Sequence, residues 1–286
     1  MMIRLLLLLV AILAIAGTVV GFAANWQLVG LLNVIDSAWP GAAGTRQAEG
    51  LIYGERPQQS IDVYVPKGVK AGESLPVIVW FHGGGWRDGD RRQYGFAGRA
   101  FSAAGFVTVV AGYRLGPDGR FPHFMEDAAA VVRWTRANIA AHGGDPDRLV
   151  LAGHSAGAHM AALVALDGKW LGELTQPGGA VKGVIGLSGP YDFLPFERGG
   201  SADMAMGFVR PLDNTQPIHF ARADAPTLFL ATGTADTTVK PRNVDALAQA
   251  MLDAGSPVET HRYPGLDHSE TVMALSLPFR SKGPVL

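Results

Sequence analysis

The stretch Leu149-Val150-Leu151-Ala152-Gly153-His154-Ser155-Ala156-Gly157 decides the fold of this chain. Three apolar residues lead into Gly-His-Ser-Ala-Gly, and a small-residue segment with helical character follows at 158–166. A strand, a sharp turn carrying a serine, and a helix form the context in which G-x-S-x-G makes a nucleophile elbow. The alternative is a glycine-rich strand-to-helix loop with an incidental serine. The rest of the sequence distinguishes these two interpretations.

Apolar runs on both sides of this stretch alternate with helical patterns. This alternation predicts a mainly parallel sheet with helices on both faces. The period-two pattern of Ile61–Val65 predicts a half-exposed strand, with 51–53 as its hairpin partner. The region 189–225 fits neither period and is predicted to be a small cap insertion lining an acyl pocket, or else an ordinary loop. The remaining predicted strands are 77–81, 106–110, 149–152, 181–187, 227–231 and 258–262, and the predicted helices are 122–141, 158–166 and 241–252.

Residues 5–24 carry no charge over twenty positions, which is long enough to cross a bilayer core of roughly 30 Å. Arg4 is the one charge before this run, so the positive-inside tendency predicts that the following chain is exported. We expect 1–24 to be a signal anchor or a cleaved signal peptide and 25–48 to be a juxtamembrane segment or linker. The globular domain is predicted at 49–286.

Composition excludes several classes of function. The 24 basic and 25 acidic residues nearly cancel, so no global positive surface is available to recruit nucleic acid. The chain has no cysteine, which excludes disulfides, thiolate catalysis and cysteine-bound metals. A hydrophobic content of 48% suits a sizeable core.

Two residues that follow predicted strands complement the serine. A serine hydroxyl needs a base within hydrogen-bond reach, and that base needs a partner that fixes its tautomer. His268 follows the strand at 258–262 and Asp236 follows the strand at 227–231. The chain order Ser155, Asp236, His268 is that of an α/β hydrolase. Asp267 is the rival acid, and we expect it to be solvated because neighbouring loop side chains rarely aim at each other.

The loop His82-Gly83-Gly84-Gly85-Trp86 follows another buried strand. Its unobstructed backbone N–H groups suit the oxyanion of a tetrahedral intermediate, together with the N–H of Ala156. As a phosphate loop it lacks the lysine and the serine or threonine of a P-loop. We expect His82 to brace this loop by hydrogen bonding.

These motifs together resemble the α/β-hydrolase esterase and lipase group. The resemblance is strongest to carboxylesterases similar to hormone-sensitive lipase and to feruloyl/acetyl-xylan-esterase-like (BD-FAE-like) domains, and it covers roughly residues 50–275. It implies an α/β-hydrolase fold, with Ser155 as nucleophile, His268 as base and Asp236 as the orienting acid. It also implies an oxyanion hole formed by Gly83, Gly84 and Ala156, with no metal and no organic cofactor. The motifs that carry it are His82–Trp86, Asp88-Gly89-Asp90, Tyr113-Arg114-Leu115, Gly153–Gly157, Asp236 and His268.

The expected function is therefore a serine hydrolase acting on small carboxylic esters, with a short acyl or acetyl group. We expect it to be held at a membrane with an exported periplasmic or extracellular catalytic domain, or secreted if the leader is cleaved. One alternative is an aryl-formamide hydrolase similar to kynurenine formamidase. Another is a non-catalytic hydrolase fold used as a binding module. The sequence specifies neither the physiological ester nor the oligomeric state.

Overall fold

A computed structural model describes residues 29–40, 44–69 and 72–286. Its centre is an eight-stranded sheet in the order β1-β2-β4-β3-β5-β6-β7-β8. The pairs β1–β2 and β2–β4 are antiparallel, and all the others are parallel. The strands are β1 Gly44–Ile52, β2 Ser60–Pro66, β3 Leu75–Phe81, β4 Val107–Ala111, β5 Gly144–His154, β6 Val181–Leu187, β7 Thr227–Gly233 and β8 Val258–Tyr263.

Helices cover both faces of this sheet, as the alternating pattern predicts. In the described part of the chain the α-helices are α1 at 29–38, α2 Gly95–Ala103, α3 His123–Asn138, α4 Ala156–Leu166, α5 Gly168–Leu171, α6 Ser201–Met206, α7 Arg242–Asp253 and α8 Glu270–Met273. One buried apolar cluster joins the sheet to α3, α4 and α7. A second cluster lies on the opposite face with α1, α2 and α8. Every residue of α4 is buried, so this helix is the centre of the first cluster.

The strand β2 differs from its prediction. Its alternation predicts one exposed face, but Ser60 to Tyr64 are all buried. The reason is α2, which the sequence analysis does not predict and which packs over the face that holds Tyr64. The polar residue Asp62 is accommodated in this setting by an ion pair with Arg91, 3.0 Å between Oδ1 and Nε.

The folded domain extends upstream of the predicted start at residue 49. β1 begins at Gly44, and α1 packs on the second apolar cluster through Leu32, which is buried. The linker predicted at 25–48 is therefore partly integrated into the fold. The hydrophobic segment predicted at 5–24 lies outside the described residues. Among the described helices, none has the length and apolar character needed to cross a membrane.

The insertion at 189–225 is ordered and lies between β6 and β7. It contains α6 and two short 3₁₀ helices at Leu212–Thr215 and Pro217–Phe220. Met206 is buried in the first apolar cluster, and Phe193 packs against that cluster. The insertion is thus attached to the sheet through its own apolar side chains.

Candidate active site

Ser155 occupies the sharp turn between β5 and α4. β5 ends at His154, α4 begins at Ala156, and Ser155 between them has φ 55° and ψ −122°. A positive φ at a non-glycine residue is strained and persists only where the surroundings impose it. Here the Ser155 N–H donates to the Leu187 carbonyl at 2.9 Å, which ties the turn to β6. The geometry is that of a nucleophile elbow.

Gly157 permits this turn because strand and helix meet there. A methyl group on Gly157 would lie 2.0 Å from the carbonyl oxygen of Phe81 and 2.6 Å from that of His82. Backbone oxygens of the last residue of β3 and of the residue after it cannot move away by a rotamer change, so only glycine fits. The second glycine of the G-x-S-x-G motif is therefore a requirement of packing.

The structure brings Ser155, His268 and Asp236 together. Ser155 Oγ lies 2.9 Å from His268 Nε2, and His268 Nδ1 lies 2.8 Å from Asp236 Oδ2. With the imidazole neutral, its Nδ1–H donates to the carboxylate and its Nε2 accepts the serine hydroxyl. This arrangement can take a proton from Ser155 and stabilise the imidazolium that results.

Asp236 is held as a carboxylate. Burial by itself would raise the pKa of Asp236, but hydrogen bonds from His268, Val239 and Ser188 together with the charge of His268 lower it overall. Oδ1 accepts the backbone N–H groups of Thr238 at 3.0 Å and Val239 at 2.8 Å. The carboxylate is therefore oriented by its own loop, independently of the histidine.

The backbone of His268 is fixed as firmly as its ring. Its carbonyl oxygen accepts Nε2–H of His154 at 2.9 Å and the hydroxyl of Thr271 at 2.9 Å. Thr271 Oγ1 also lies 3.1 Å from Ser188 Oγ, and the single hydroxyl proton of Ser188 serves either Thr271 or Asp236 at any one time. A buried chain of polar groups thus links the carboxylate to the loop that carries the imidazole.

The sequence does not predict the supporting role of three of these residues, although the signals that it offers for them differ. His154, in the variable position of the motif, donates to the His268 loop, and its ring centroid lies 4.8 Å from that of His268. Ser188 follows β6 just as Asp236 follows β7, which is a weak signal for a site at the carboxyl edge of the sheet. Thr271 has no such signal.

The rival acid Asp267 points elsewhere, as predicted. Its Oδ1 accepts the N–H groups of Ser269 and Glu270, both at 2.9 Å, at the start of α8. A carboxylate in that position caps the exposed first turn of a helix. It has no contact of this kind with the His268 imidazole.

The glycine loop lies directly against the serine. A methyl group on Gly83 would lie 3.4 Å from Ser155 Cβ and 3.1 Å from His154 Nδ1. Gly84 follows with a φ of 132°, and the N–H of Ala156 begins α4 on the other side of Ser155. The predicted oxyanion residues therefore border the serine from two separate elements.

His82 braces the glycine loop as expected. Its ring is stacked between Tyr113 and Tyr94, with centroid distances of 4.3 and 5.5 Å. Burial lowers the pKa of His82 to about 4, so the ring is neutral and its Nδ1–H donates to the Gly83 carbonyl at 2.7 Å. The Tyr113 hydroxyl donates to the His82 carbonyl at 2.7 Å.

An aromatic cluster connects this loop to the insertion at 189–225. Trp86, the last residue of the loop, is stacked on Phe193 with centroids 6.0 Å apart and 8° between planes. The rings of His159 and Trp86 meet in a T-shaped contact with centroids 5.1 Å apart, and Nε2–H of His159 donates to the Thr215 carbonyl at 2.8 Å. The insertion is therefore in direct contact with the loop beside Ser155.

Two further buried histidines are neutral, like His82. Burial lowers the pKa of His159 to about 4. Burial, and secondarily the neighbouring His268, lower the pKa of His154 to about 3. In the part of the chain that the structure describes, no three His, Cys, Asp or Glu side chains are grouped as metal ligands.

Comparison with known proteins places these features in a wider context. A family model described as BD-FAE matches residues 61–251. Esterase LipQ of Mycobacterium tuberculosis is 30% identical over 88% of this chain and 63% of that protein. The probable isoprenylcysteine alpha-carbonyl methylesterase ICMEL1 of Oryza sativa subsp. japonica is 29% identical over 77% of this chain and 56% of that protein. The chain thus spans 56 to 63% of the length of these two curated relatives.

Solved structures agree with the architecture. The apo form of Thermogutta terrifontis esterase 2 is 25% identical, covers 85% of this chain and 91% of its own, and has a TM-score of 0.66. A truncated carbohydrate esterase from gut microbiota is 19% identical, covers 84% of this chain and 94% of its own, and has a TM-score of 0.71. The predicted α/β-hydrolase fold with a mainly parallel sheet is confirmed.

Proposed function

Because this chain belongs to the BD-FAE family, we propose that it hydrolyses carboxylic esters through a covalent acyl-enzyme on Ser155. The observation that carries the proposal is the unbroken line of hydrogen bonds from Ser155 Oγ through His268 to Asp236, at 2.9 and 2.8 Å. A serine without a base at that distance is a poor nucleophile at neutral pH. The names of the relatives, all esterases, support the same reaction class.

The reaction proceeds in two steps, acylation of Ser155 and hydrolysis of the acyl-enzyme. Ser155 Oγ attacks the ester carbonyl carbon while its proton passes to His268 Nε2, and Asp236 stabilises the resulting imidazolium. The negative charge that develops on the carbonyl oxygen is met by the N–H groups of Gly83, Gly84 and Ala156. Collapse of the tetrahedral intermediate breaks the C–O bond to the alcohol, which leaves with the proton from His268. A water molecule, deprotonated by His268, then releases the carboxylic acid and restores Ser155.

We propose that the acyl group is short. Trp86 is buried and stacked on Phe193, so two aromatic rings occupy the region next to the glycine loop. Such a rigid aromatic pair favours a small group, such as acetyl, over a long chain.

A substrate panel tests both parts of the proposal. We expect purified protein to hydrolyse p-nitrophenyl acetate and butyrate with much higher kcat/KM than the octanoate, and the Ser155→Ala variant to lose this activity by several powers of ten. Formanilide, an aryl formamide, serves as the test of the alternative reaction. A higher kcat/KM for formanilide than for the acetate would overturn the ester assignment, and a rise from acetate to octanoate would overturn the short acyl group.

A further inference from the structure

The helix α1 has one face on the domain and one face in solvent. Leu32 and Asp36 are buried, at 5% and 2% exposure, one turn apart on the inner face. Three large apolar side chains lie on the outer side of α1 at helical spacing and a fourth lies directly after its last residue, and we name the four the α1 stripe. They are Leu31, Val34, Ile35 and Trp39, with exposures of 53, 63, 38 and 45%.

The helix is clamped to the domain and does not act as a loose tether. Asp36 Oδ2 accepts Nε of Arg99 at 2.7 Å, while Asp36 Oδ1 accepts the backbone N–H of Leu277 at 2.7 Å. Arg99 Nη2 also donates to the side chain of Asn33 at 2.7 Å. Removing one partner of a buried ion pair is strongly destabilising because it leaves the other charge unpaired, so this contact holds the helix in place. The α1 stripe therefore has a fixed direction relative to the whole domain.

An exposed apolar face of this kind needs an occupant, and the adjoining sequence indicates which one. The uncharged run 5–24 ends five residues before residue 29, where the described part of α1 begins. Five extended residues span at most about 18 Å, so the stripe stays close to wherever that run lies. From residue 5 to residue 35 there is no charged side chain at all, and the first one, Asp36, is buried and paired. The helix itself therefore brings no unpaired charge into an apolar medium, and the exposed Arg92, whose carbonyl accepts Asn33 Nδ2 at 2.8 Å, is a cation that suits the headgroup level.

A lipid interface suits these features better than a second copy of the chain. Tryptophan is enriched where hydrocarbon meets headgroups, and Trp39 is among the exposed side chains. Four half-exposed side chains present at most a few hundred Å², whereas a stable protein interface buries about 800 Å² on each partner. The stripe is thus too small for a dimer but suited to shallow insertion beside a membrane segment.

We propose that residues 5–24 lie in a phospholipid bilayer and that the α1 stripe lies in its headgroup region, which docks the domain on that bilayer in one orientation. The face of the sheet that carries α1 and α2 then points towards the lipid, and the face that carries α7 points away from it. This inference does not depend on the hydrolytic function.

The absence of cysteine from the natural sequence makes the test direct. Full-length protein carrying Val34→Cys is labelled with the fluorophore NBD and reconstituted with vesicles of phosphatidylcholine and phosphatidylglycerol. Leu252→Cys on α7 is the matched control, because Leu252 is also apolar and 57% exposed but lies on the opposite layer of the fold. We expect a blue-shifted, several-fold brighter emission at position 34 that brominated lipid quenches, and an emission at position 252 that vesicles leave unchanged.

Three results would overturn the proposal. If vesicles leave the wavelength and intensity of NBD emission at position 34 unchanged, as they do at position 252, the stripe does not enter lipid. A change at position 34 that appears without vesicles and rises with protein concentration would show that a second copy covers it. Equal quenching at both positions would show that the domain has no fixed orientation. Thermal unfolding of both labelled variants shows that they are folded, and none of these readouts requires ester turnover.

Discussion

Replacing His154 by leucine should lower ester turnover without weakening the fold. The His268 carbonyl accepts two hydrogen bonds, one from His154 Nε2 and one from Thr271 Oγ1, both at 2.9 Å. The substitution removes the first and leaves the second, so the carbonyl keeps a partner. The net loss is that of one neutral hydrogen bond, about 1 kcal/mol. If the whole of this loss appears in the transition state, kcat falls roughly fivefold.

The stability of the same variant should move differently. Among the described residues, Nδ1 of His154 has no hydrogen-bond partner although it is buried. An unpaired buried acceptor is destabilising by about 1–3 kcal/mol, so leucine offsets the lost hydrogen bond by removing it. The free energy of unfolding should therefore stay level or rise while kcat falls. His154→Gln is the matched control, because its terminal amide N–H reaches a position similar to that of Nε2.

Steady-state kinetics with p-nitrophenyl acetate and urea unfolding provide the two readouts. We expect His154→Leu to have a lower kcat at unchanged KM and His154→Gln to stay within about twofold of the natural protein. Full turnover in the leucine variant would refute the reasoning that this hydrogen bond positions His268. Equal losses in both variants would attribute the effect to ring packing instead.

Three further predictions follow from packing and from charge. Gly157→Ala should give no folded, active protein. In the control Gly168→Ala a methyl group meets nothing within 4 Å, so its free energy of unfolding should lie within about 1 kcal/mol of that of the natural chain. Similar unfolding curves for the two variants would contradict the packing argument. Asp236→Asn should lower kcat by about four powers of ten and Asp267→Asn by less than tenfold, and the reverse order in the kinetics would show that the acid is misassigned. The three buried histidines (82, 154 and 159) have pKa values lowered to about 4, 3 and 4, so below about 6.5 the unfolded chain binds protons that the folded chain does not. As the pH falls from about 6.5 to 4, each histidine should therefore lower the free energy of unfolding, measured in urea, by about 1.4 kcal/mol per pH unit. A free energy of unfolding that does not change over this pH range would disprove the prediction.

The sequence predicts the sheet well because its central strands are buried on both faces. The run at 77–81 is continuously apolar, the runs at 181–187 and 227–231 are mainly apolar apart from Lys182 and Thr227, and each lies within an observed strand. The turn at Ser155 is equally predictable, since G-x-S-x-G between a strand and a helix has few other structural uses. The spacing of Asp236 and His268 follows from the same order of elements.

Features that depend on tertiary contact are harder to predict. α2 contains two glycines, which lower helix propensity, yet a methyl group on Gly98 would lie 2.4 Å from a ring carbon of Tyr64. The glycine is needed for close packing of the helix on β2, and this contact also explains why β2 is buried where its pattern predicts exposure. α1 shows the same effect, because its attachment depends on Arg99, more than sixty residues further along the chain.

The supporting residues of the site illustrate the same limit. Thr271 and Ser188 are separated by 83 positions and meet only because β6 and the loop after β8 end at the same edge of the sheet. Short motifs indicate the residues that we propose to react, but they contain no information about the hydrogen bonds that orient them.

The identity of the nucleophile is the central claim, and covalent labelling tests it most directly. The full chain is reacted with a fluorophosphonate, its intact mass is measured, and the modified tryptic peptide is sequenced by mass spectrometry. We predict a single adduct on Ser155, its complete loss in Ser155→Ala, and slower labelling in His268→Gln because the proton acceptor at 2.9 Å from the hydroxyl is removed. An adduct on another residue, or undiminished labelling of Ser155→Ala, would contradict the account.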